Sequence, residues 1–264
     1  MSTGIPGASN ATVATDVPTP VRRLLWQTVS VESIAPLGSR AKLLQVSAAN
    51  WPGHLPGQHV DVRLTAADGY QAQRSYSIAS APHEPGLSLA VDHVVGGEVS
   101  PYLTTEVRVG DAFELRGPIG GYFVWDAPAG GPLYLCAGGS GIAPFMAVLE
   151  HRERFARGLP TTLLYSVRSP EVAMFAERLE ALARTDPALR IVWTYTRTGP
   201  QAWQGYAGRI DAAMLRATAP RPDARPLIYV CGPTAFVELV ANSLVGLGYG
   251  PGSIWTERFG PSGE

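Results

Sequence analysis

The sequence predicts two domains in tandem, an N-terminal all-β unit and a C-terminal α/β unit built on a parallel sheet. Three observations predict this. The chain has 264 residues, past the size at which a single core usually stops growing. From Trp26 to Val124 short strands are separated by Gly and Pro turns, whereas from Leu133 onward apolar strands alternate with helical stretches. Between them, Asp126-Ala127-Pro128-Ala129-Gly130-Gly131-Pro132 reads as a linker. The expected division is therefore residues 1–20 as a disordered tail, 21–127 as the β domain and 128–264 as the α/β domain.

The tail is rich in Ser, Thr, Ala, Pro and Gly, without the basic start and apolar run of a secretory signal. Expected strands of the first half are Thr28–Ile34, Leu43–Val46, Gln58–Leu64, Arg74–Ser77, Leu87–Asp92 and Ala112–Arg116, which suits an antiparallel barrel or sandwich. One helical patch interrupts them, Val99–Glu106, with Ser100 at the N-cap and Pro101 in the first turn. In the second half the strands are Leu133–Ala137, Thr162–Val167, Ile191–Thr196, Leu227–Cys231 and Ile254–Thr256. The helices among them are Phe145–Arg157, Ala173–Arg184, Asp211–Ala217 and Phe236–Leu247.

Composition narrows the function. A formal charge of −1 argues against a nucleic-acid binder, whose affinity rests on a basic surface. No apolar run reaches membrane-spanning length, and the cytoplasm is the expected location. The two cysteines, Cys136 and Cys231, are too few for the four thiolates of an ordinary [2Fe–2S] cluster, so the chain cannot hold one unaided. The five histidines, His54, His59, His83, His93 and His151, lack metal-ligand spacing and read as surface or strand residues. Lys42 is the sole lysine, which leaves phosphate recognition and any docking patch for an acidic partner to arginine.

Three short motifs carry the chemistry. In Arg74-Ser75-Tyr76-Ser77, a strand arginine offers a planar fork of donors to a pyrophosphate, and a tyrosine two positions on can lie against a flavin ring. Gly139-Ser140-Gly141-Ile142-Ala143-Pro144 follows a buried-type strand and opens a helix, where glycines let backbone approach a pyrophosphate and proline fits the first turn. Cys231-Gly232-Pro233 ends the fourth expected strand of the sheet, where open α/β folds present ligand contacts. An NADP site uses arginine where an NAD site places a carboxylate. Arg168 and Arg197 end the second and third strands, and Arg209 follows in Gly208-Arg209-Ile210, although Glu171 lies close in sequence.

Taken in order, these motifs resemble the ferredoxin-NADP reductase superfamily, as a stand-alone reductase lacking the [2Fe–2S] domain. The resemblance implies a Greek-key β-barrel that binds flavin, followed by an NAD(P)-binding sheet. It implies an FAD site at Arg74, Tyr76, Ser77, Ile78, Asp92, His93, Gly97, Val99, Ser100 and Phe259. There the amides of the short helix face the pyrophosphate and the Ser77 hydroxyl faces the flavin N5. It assigns Gly139, Gly141, Ile142, Pro144, Arg168, Arg197, Arg209, Cys231, Gly232 and Pro233 to the nicotinamide nucleotide, proline standing where the ordinary dinucleotide fingerprint has a third glycine. Ser77, Cys231 and Glu257 are the implied catalytic residues, with Phe259 covering the flavin; no metal is implied. The expected function is an NAD(P)H oxidoreductase using FAD rather than FMN and NADPH ahead of NADH. Its acceptor would be a separate ferredoxin, cytochrome or oxidoreductase subunit. The alternatives are an electron-transfer or flavin-sensing subunit without nicotinamide turnover, and a reductase of free flavin or quinone.

Overall fold

Valines at alternate positions, Val29 and Val31, bury one face of the first strand while Thr28 and Ser30 stay exposed, and the same period runs through the N-terminal half. A computed structural model describes residues 24–260; the expected tail over residues 1–20 lies outside the described residues. The N-terminal strands are β1 (Gln27–Leu37), β2 (Ala41–Ser47), β3 (His59–Thr65), β4 (Gln71–Ser77), β5 (Leu87–Asp92) and β6 (Ala112–Ile119). They pair antiparallel in the order β4-β3-β6-β1-β2-β5, and a bridge between Ile78 and Leu89 joins the two edges into a barrel. Val60, Val62, Leu44, Val46, Leu89, Leu103 and Leu115 fill its interior.

Several strands run longer than their apolar cores. Gln71 and Gln73 pair with Thr65 and Arg63, so the ladder rather than burial extends β4 upstream of Arg74. The helical patch also differs. Its regular part is a wide turn over Tyr102–Glu106, closed by the Val107 amide on the Tyr102 carbonyl, and Pro101 occupies the cap position. Ser100 does not cap it: its hydroxyl accepts from the Val94 amide at 3.1 Å, folding the preceding loop back on itself.

The second half is a parallel sheet of β7 (Leu133–Gly138), β8 (Thr161–Val167), β9 (Leu189–Tyr195), β10 (Tyr206–Ala207), β11 (Leu227–Pro233) and β12 (Ile254–Phe259), in the order β10-β9-β8-β7-β11-β12. Helices α1 (Ala143–Phe155) and α2 (Ala176–Thr185) pack with Leu133, Leu135, Leu163, Tyr165 and Tyr229 on one face. Helices α3 (Ala212–Thr218) and α4 (Thr234–Gly246) pack with Tyr134, Cys136, Leu164 and Val230 on the other. Two bounds depart from expectation for backbone reasons. The chain turns at Phe175, φ 58°, so α2 starts after it and not at Ala173. β12 continues through Phe259 because Glu257, Arg258 and Phe259 pair with Cys231, Gly232 and Pro233. The two-residue strand β10 has no counterpart in the sequence reading.

The barrel packs directly on the α1 and α2 face. Leu37, Ala41, Ala79, Ala90, Phe123 and Trp125 share one apolar cluster with it. The Tyr229 hydroxyl donates to the Val124 carbonyl at 2.9 Å, and the Ser39 amide to the Glu171 carbonyl at 2.7 Å.

The turn between β7 and α1 is seated against the end of β11. A Cβ on Gly141 would lie 2.1 Å from the Cys231 carbonyl oxygen, a backbone atom that cannot swing away. Gly141→Ala is therefore expected to cost at least about 1–3 kcal/mol of stability by forced displacement of packed backbone. Thermal denaturation checks this, and an unchanged midpoint would contradict the close approach.

Candidate functional site

Side-chain parity decides what meets between the barrel and the sheet. On β11 the residues facing the barrel are Tyr229 and Cys231, and register places Trp255 and Glu257 of β12 beside them, with Phe259 next on the same face. Trp255 stacks on Tyr229, ring centroids 5.0 Å apart. Glu257 Oε1 lies 3.5 Å from His59 Nδ1 on β3, and His59 is the direct ladder partner of Ser77 on β4. The four strands thus bring Ser77, His59, Glu257 and Cys231 to one seam. Sequence reasoning foresaw Ser77, Glu257 and Cys231 there and missed His59, whose only signal was an inconspicuous place at the head of a strand.

The polar atoms of this seam are dry and unsatisfied. Ser77 Oγ and Glu257 Oε2 are buried with no hydrogen-bond partner among the described residues. Such atoms cost free energy unless a ligand completes them. Burial, and then the neighbouring Glu257 carboxylate, push the Cys231 thiol well above the usual thiol range, so it is a neutral group at physiological pH.

Arg74 and Tyr76 occupy the other face of β4. Tyr76 packs against the barrel core, and burial raises its phenol pKa. Arg74 is half exposed and holds Glu98 at 3.1 Å; the same carboxylate accepts from the Tyr70 hydroxyl. Glu98 belongs to the loop of Gly97 and Ser100, so Arg74 and these two residues do converge, with Glu98 as the anion that the arginine holds. Ile78 and Val99 are fully buried in the barrel core, which leaves only their backbone for any ligand. The imidazole of His93 is engaged by Thr104 Oγ1 at 2.8 Å.

Beyond the seam a cavity of about 700 Å³ opens along the carboxyl ends of the parallel strands. Gly138, Gly139 and Ser140 line it at the end of β7, Arg168 and Thr196 at the ends of β8 and β9, Arg209 just past β10, and Pro233 to Phe236 at the start of α4. Gly141, Ile142 and Pro144 are buried beneath the turn and shape it without lining the cavity. Gly232 is also behind the surface, where a Cβ would meet the Phe236 ring at 2.9 Å.

Two expected site residues have surroundings that the sequence did not anticipate. Arg197 is exposed and does not line the cavity; its backbone and that of Thr198 bond to the Arg168 carbonyl, which turns the chain away. Asp92, expected at the flavin, also lines this cavity and forms a two-pronged ion pair with Arg40, Nε to Oδ1 at 3.1 Å and Nη2 to Oδ2 at 2.8 Å. Arg40 itself was missed, because its place beside Asp92 follows from pairing of β2 with β5. No group of three or more His, Cys, Asp or Glu that could hold a metal occurs among the described residues.

The residues fit a flavin and a dinucleotide. Unpaired buried acceptors face one seam, an arginine fork stands beside a glycine-containing loop, and two strand-to-helix turns border a cavity of dinucleotide scale. The thiols give a pH test. Both Cys231 and Cys136 are raised by burial, so below the ordinary thiol pKa, about 8.5, they are protonated in both states and stability is full. As pH rises beyond it, the unfolded chain releases protons that the native state keeps. Unfolding free energy should then fall by about 1.4 kcal/mol per pH unit for each thiol. Urea unfolding between pH 7 and pH 10 should show this slope, and Cys231→Ala should remove one thiol's share of it.

Known proteins align with both halves. Residues 39–124 match the family model described as oxidoreductase FAD-binding domain, and residues 135–242 match oxidoreductase NAD-binding domain. A glycine betaine monooxygenase reductase subunit of Pseudomonas aeruginosa is 34% identical over 210 residues, 78% of this chain and 56% of that protein. A flavohemoprotein of Bordetella pertussis is 33% identical over 221 residues, 80% of this chain and 54% of that protein. The chain thus spans little more than half the length of these relatives. The crystal structure of a ferredoxin NADP+ reductase from Neisseria gonorrhoeae with bound FAD and NADP superposes with a TM-score of 0.75 at 24% identity, covering 88% of this chain and 98% of that one. The chain thus carries an oxidoreductase FAD-binding domain followed by an oxidoreductase NAD-binding domain, in the fold of the ferredoxin NADP+ reductase structure.

Proposed function

We propose that the protein is an FAD-dependent NAD(P)H oxidoreductase that passes electrons singly to a separate acceptor protein, such as an iron–sulfur protein, a cytochrome or the oxygenase component of a two-protein system. The observation that carries this reading is the seam where Ser77 Oγ and Glu257 Oε2 are buried without partners beside Cys231. Bound FAD supplies acceptance of a hydride and release of its electrons one at a time. Arg74, with the Gly97 and Ser100 loop, would hold its pyrophosphate, exchanging the Glu98 carboxylate for a phosphate. Tyr76 would stack against the ring, and Ser77 and Glu257 would bracket the hydride-accepting edge.

Cys231 acts by shape. A neutral thiol in a dry strand end fills space beside the nicotinamide position without adding charge, and Phe259 continues the same face. The nucleotide would enter along the cavity, its pyrophosphate on the Gly139 and Ser140 turn and its adenosine end toward Arg168 and Arg209. Those two arginines favour NADPH over NADH, because guanidinium pairs with a 2′-phosphate. The resemblance of whole relatives named as a monooxygenase reductase subunit supports an oxygenase as the acceptor. Cytoplasmic placement accords with the supply of such a donor.

Anaerobic mixing of the FAD-loaded protein with NADPH or NADH should bleach the flavin, and an added one-electron acceptor protein should restore it. No bleaching by either nucleotide overturns the proposal. In single turnover, Glu257→Gln and Ser77→Ala should each slow bleaching roughly ten- to a hundredfold while FAD stays bound, the scale of one hydrogen bond to a charged group. Replacing Arg168 and Arg209 together by Ala should weaken NADPH binding by a similar factor and leave NADH unchanged. Equal loss of both nucleotides would assign those arginines to structure.

A further inference from the structure

Arg40 and Asp92 come from the barrel, yet both line the cavity of the parallel sheet. Arg40 follows the β1–β2 turn and Asp92 ends β5, and register pairs the neighbouring Ala41 with Asp92. The turn is fixed to the other domain. Ser39 donates to the Glu171 carbonyl at 2.7 Å, and a Cβ on Gly38 would lie 3.0 Å from the same oxygen. Asp92 takes Nε and Nη2 of the guanidinium, so its plane is locked, whereas Nη1 makes no hydrogen bond among the described residues. The pair is partly exposed, 33% for Arg40 and 18% for Asp92. β5 packs against the Gly139–Ile142 turn, and Ser39 is tied to Glu171 just past the end of β8, so the pair stands between the glycine turn and the segment that follows Arg168.

We propose that Arg40 is a ligand for the dinucleotide pyrophosphate, contributed across the domain boundary and held in orientation by Asp92. This rests on the cavity being the nicotinamide-nucleotide site. A cation from the barrel facing the glycine turn from the opposite side closes a cradle that backbone amides alone leave open, and a pre-oriented fork loses little freedom on binding. The assignment separates the arginines by ligand part: Arg40 serves the pyrophosphate shared by NADH and NADPH, while Arg168 and Arg209 serve the 2′-phosphate that NADPH alone carries.

Calorimetric titration of the FAD-loaded protein with ADP-ribose, which carries the pyrophosphate, and with 2′-AMP, which lacks it, tests the assignment. Arg40→Ala should weaken ADP-ribose roughly ten- to a hundredfold and leave 2′-AMP within about twofold. Arg168→Ala should weaken 2′-AMP and spare ADP-ribose. Arg40→Lys should recover only part of the loss, since an ammonium cannot serve Asp92 and a phosphate as a fork does. That crossed pattern supports the proposal. Loss of both ligands or of neither in Arg40→Ala overturns it, as does full recovery by lysine. Should Arg40→Ala fail to fold, Arg40→Lys decides alone: selective weakening of ADP-ribose supports the assignment and unchanged binding refutes it. Wild-type protein that binds neither ligand would refute the nucleotide reading of the cavity itself.

Discussion

The parallel register of β11 with β12 is the constraint on which the site depends. Because Cys231 stands beside Glu257 and Pro233 beside Phe259, one parity of side chains points at the barrel along both strands. A slip of one residue would turn Glu257 toward α4 and present Arg258, which now pairs with Glu238, to the seam. Register in turn is held by burial on both faces, with Ile254 in the α3 and α4 cluster and Trp255 against Tyr229. The chemistry of the seam is therefore set by apolar residues that do not take part in it.

The same seam explains why polar atoms stay there unpaired. Ser77 and Glu257 come from different domains and neither finds a partner for its buried oxygen, although His59 lies within 3.5 Å of the other Glu257 oxygen. A merely structural contact would gain stability from an apolar substitution at such positions. Their retention in a dry, well-packed interface is what a bound heteroaromatic ring with donor and acceptor edges requires. His59, opposite Ser77 in the barrel ladder, fixes the side of Glu257 from which such a ring must approach.

What was legible in the sequence was local. Glycine and proline turns, strand periodicity and the three motifs are each written within a few neighbouring residues, and they located both sheets, the Gly139 turn and the Ser77, Cys231 and Glu257 seam. What was illegible depends on pairing across the fold. Arg40 meets Asp92 only because β2 lies beside β5, and His59 meets Glu257 only because barrel and sheet abut. The exposure of Arg197 was likewise unreadable, because it follows from the amides of Arg197 and Thr198 both folding onto the Arg168 carbonyl beyond the end of β9. Ser100 misled for a similar reason: a good capping residue found a nearer amide, that of Val94.

The way the halves are joined bears on how the site would work. Apolar contacts from Leu37 to Trp125, the Tyr229 bond to Val124 and the turn clamped by Glu171 fasten the barrel to the sheet at three separated points. These contacts fix the walls that both domains give to the cavity. Orientation of the reacting groups is set by folding and not by closure around the ligand, so the entropic cost of aligning them is met in advance. In such a frame the nucleotide's remote groups, its pyrophosphate and adenosine, serve to draw the nicotinamide along a fixed track toward the seam. Arg40 stands where that track crosses from one domain to the other.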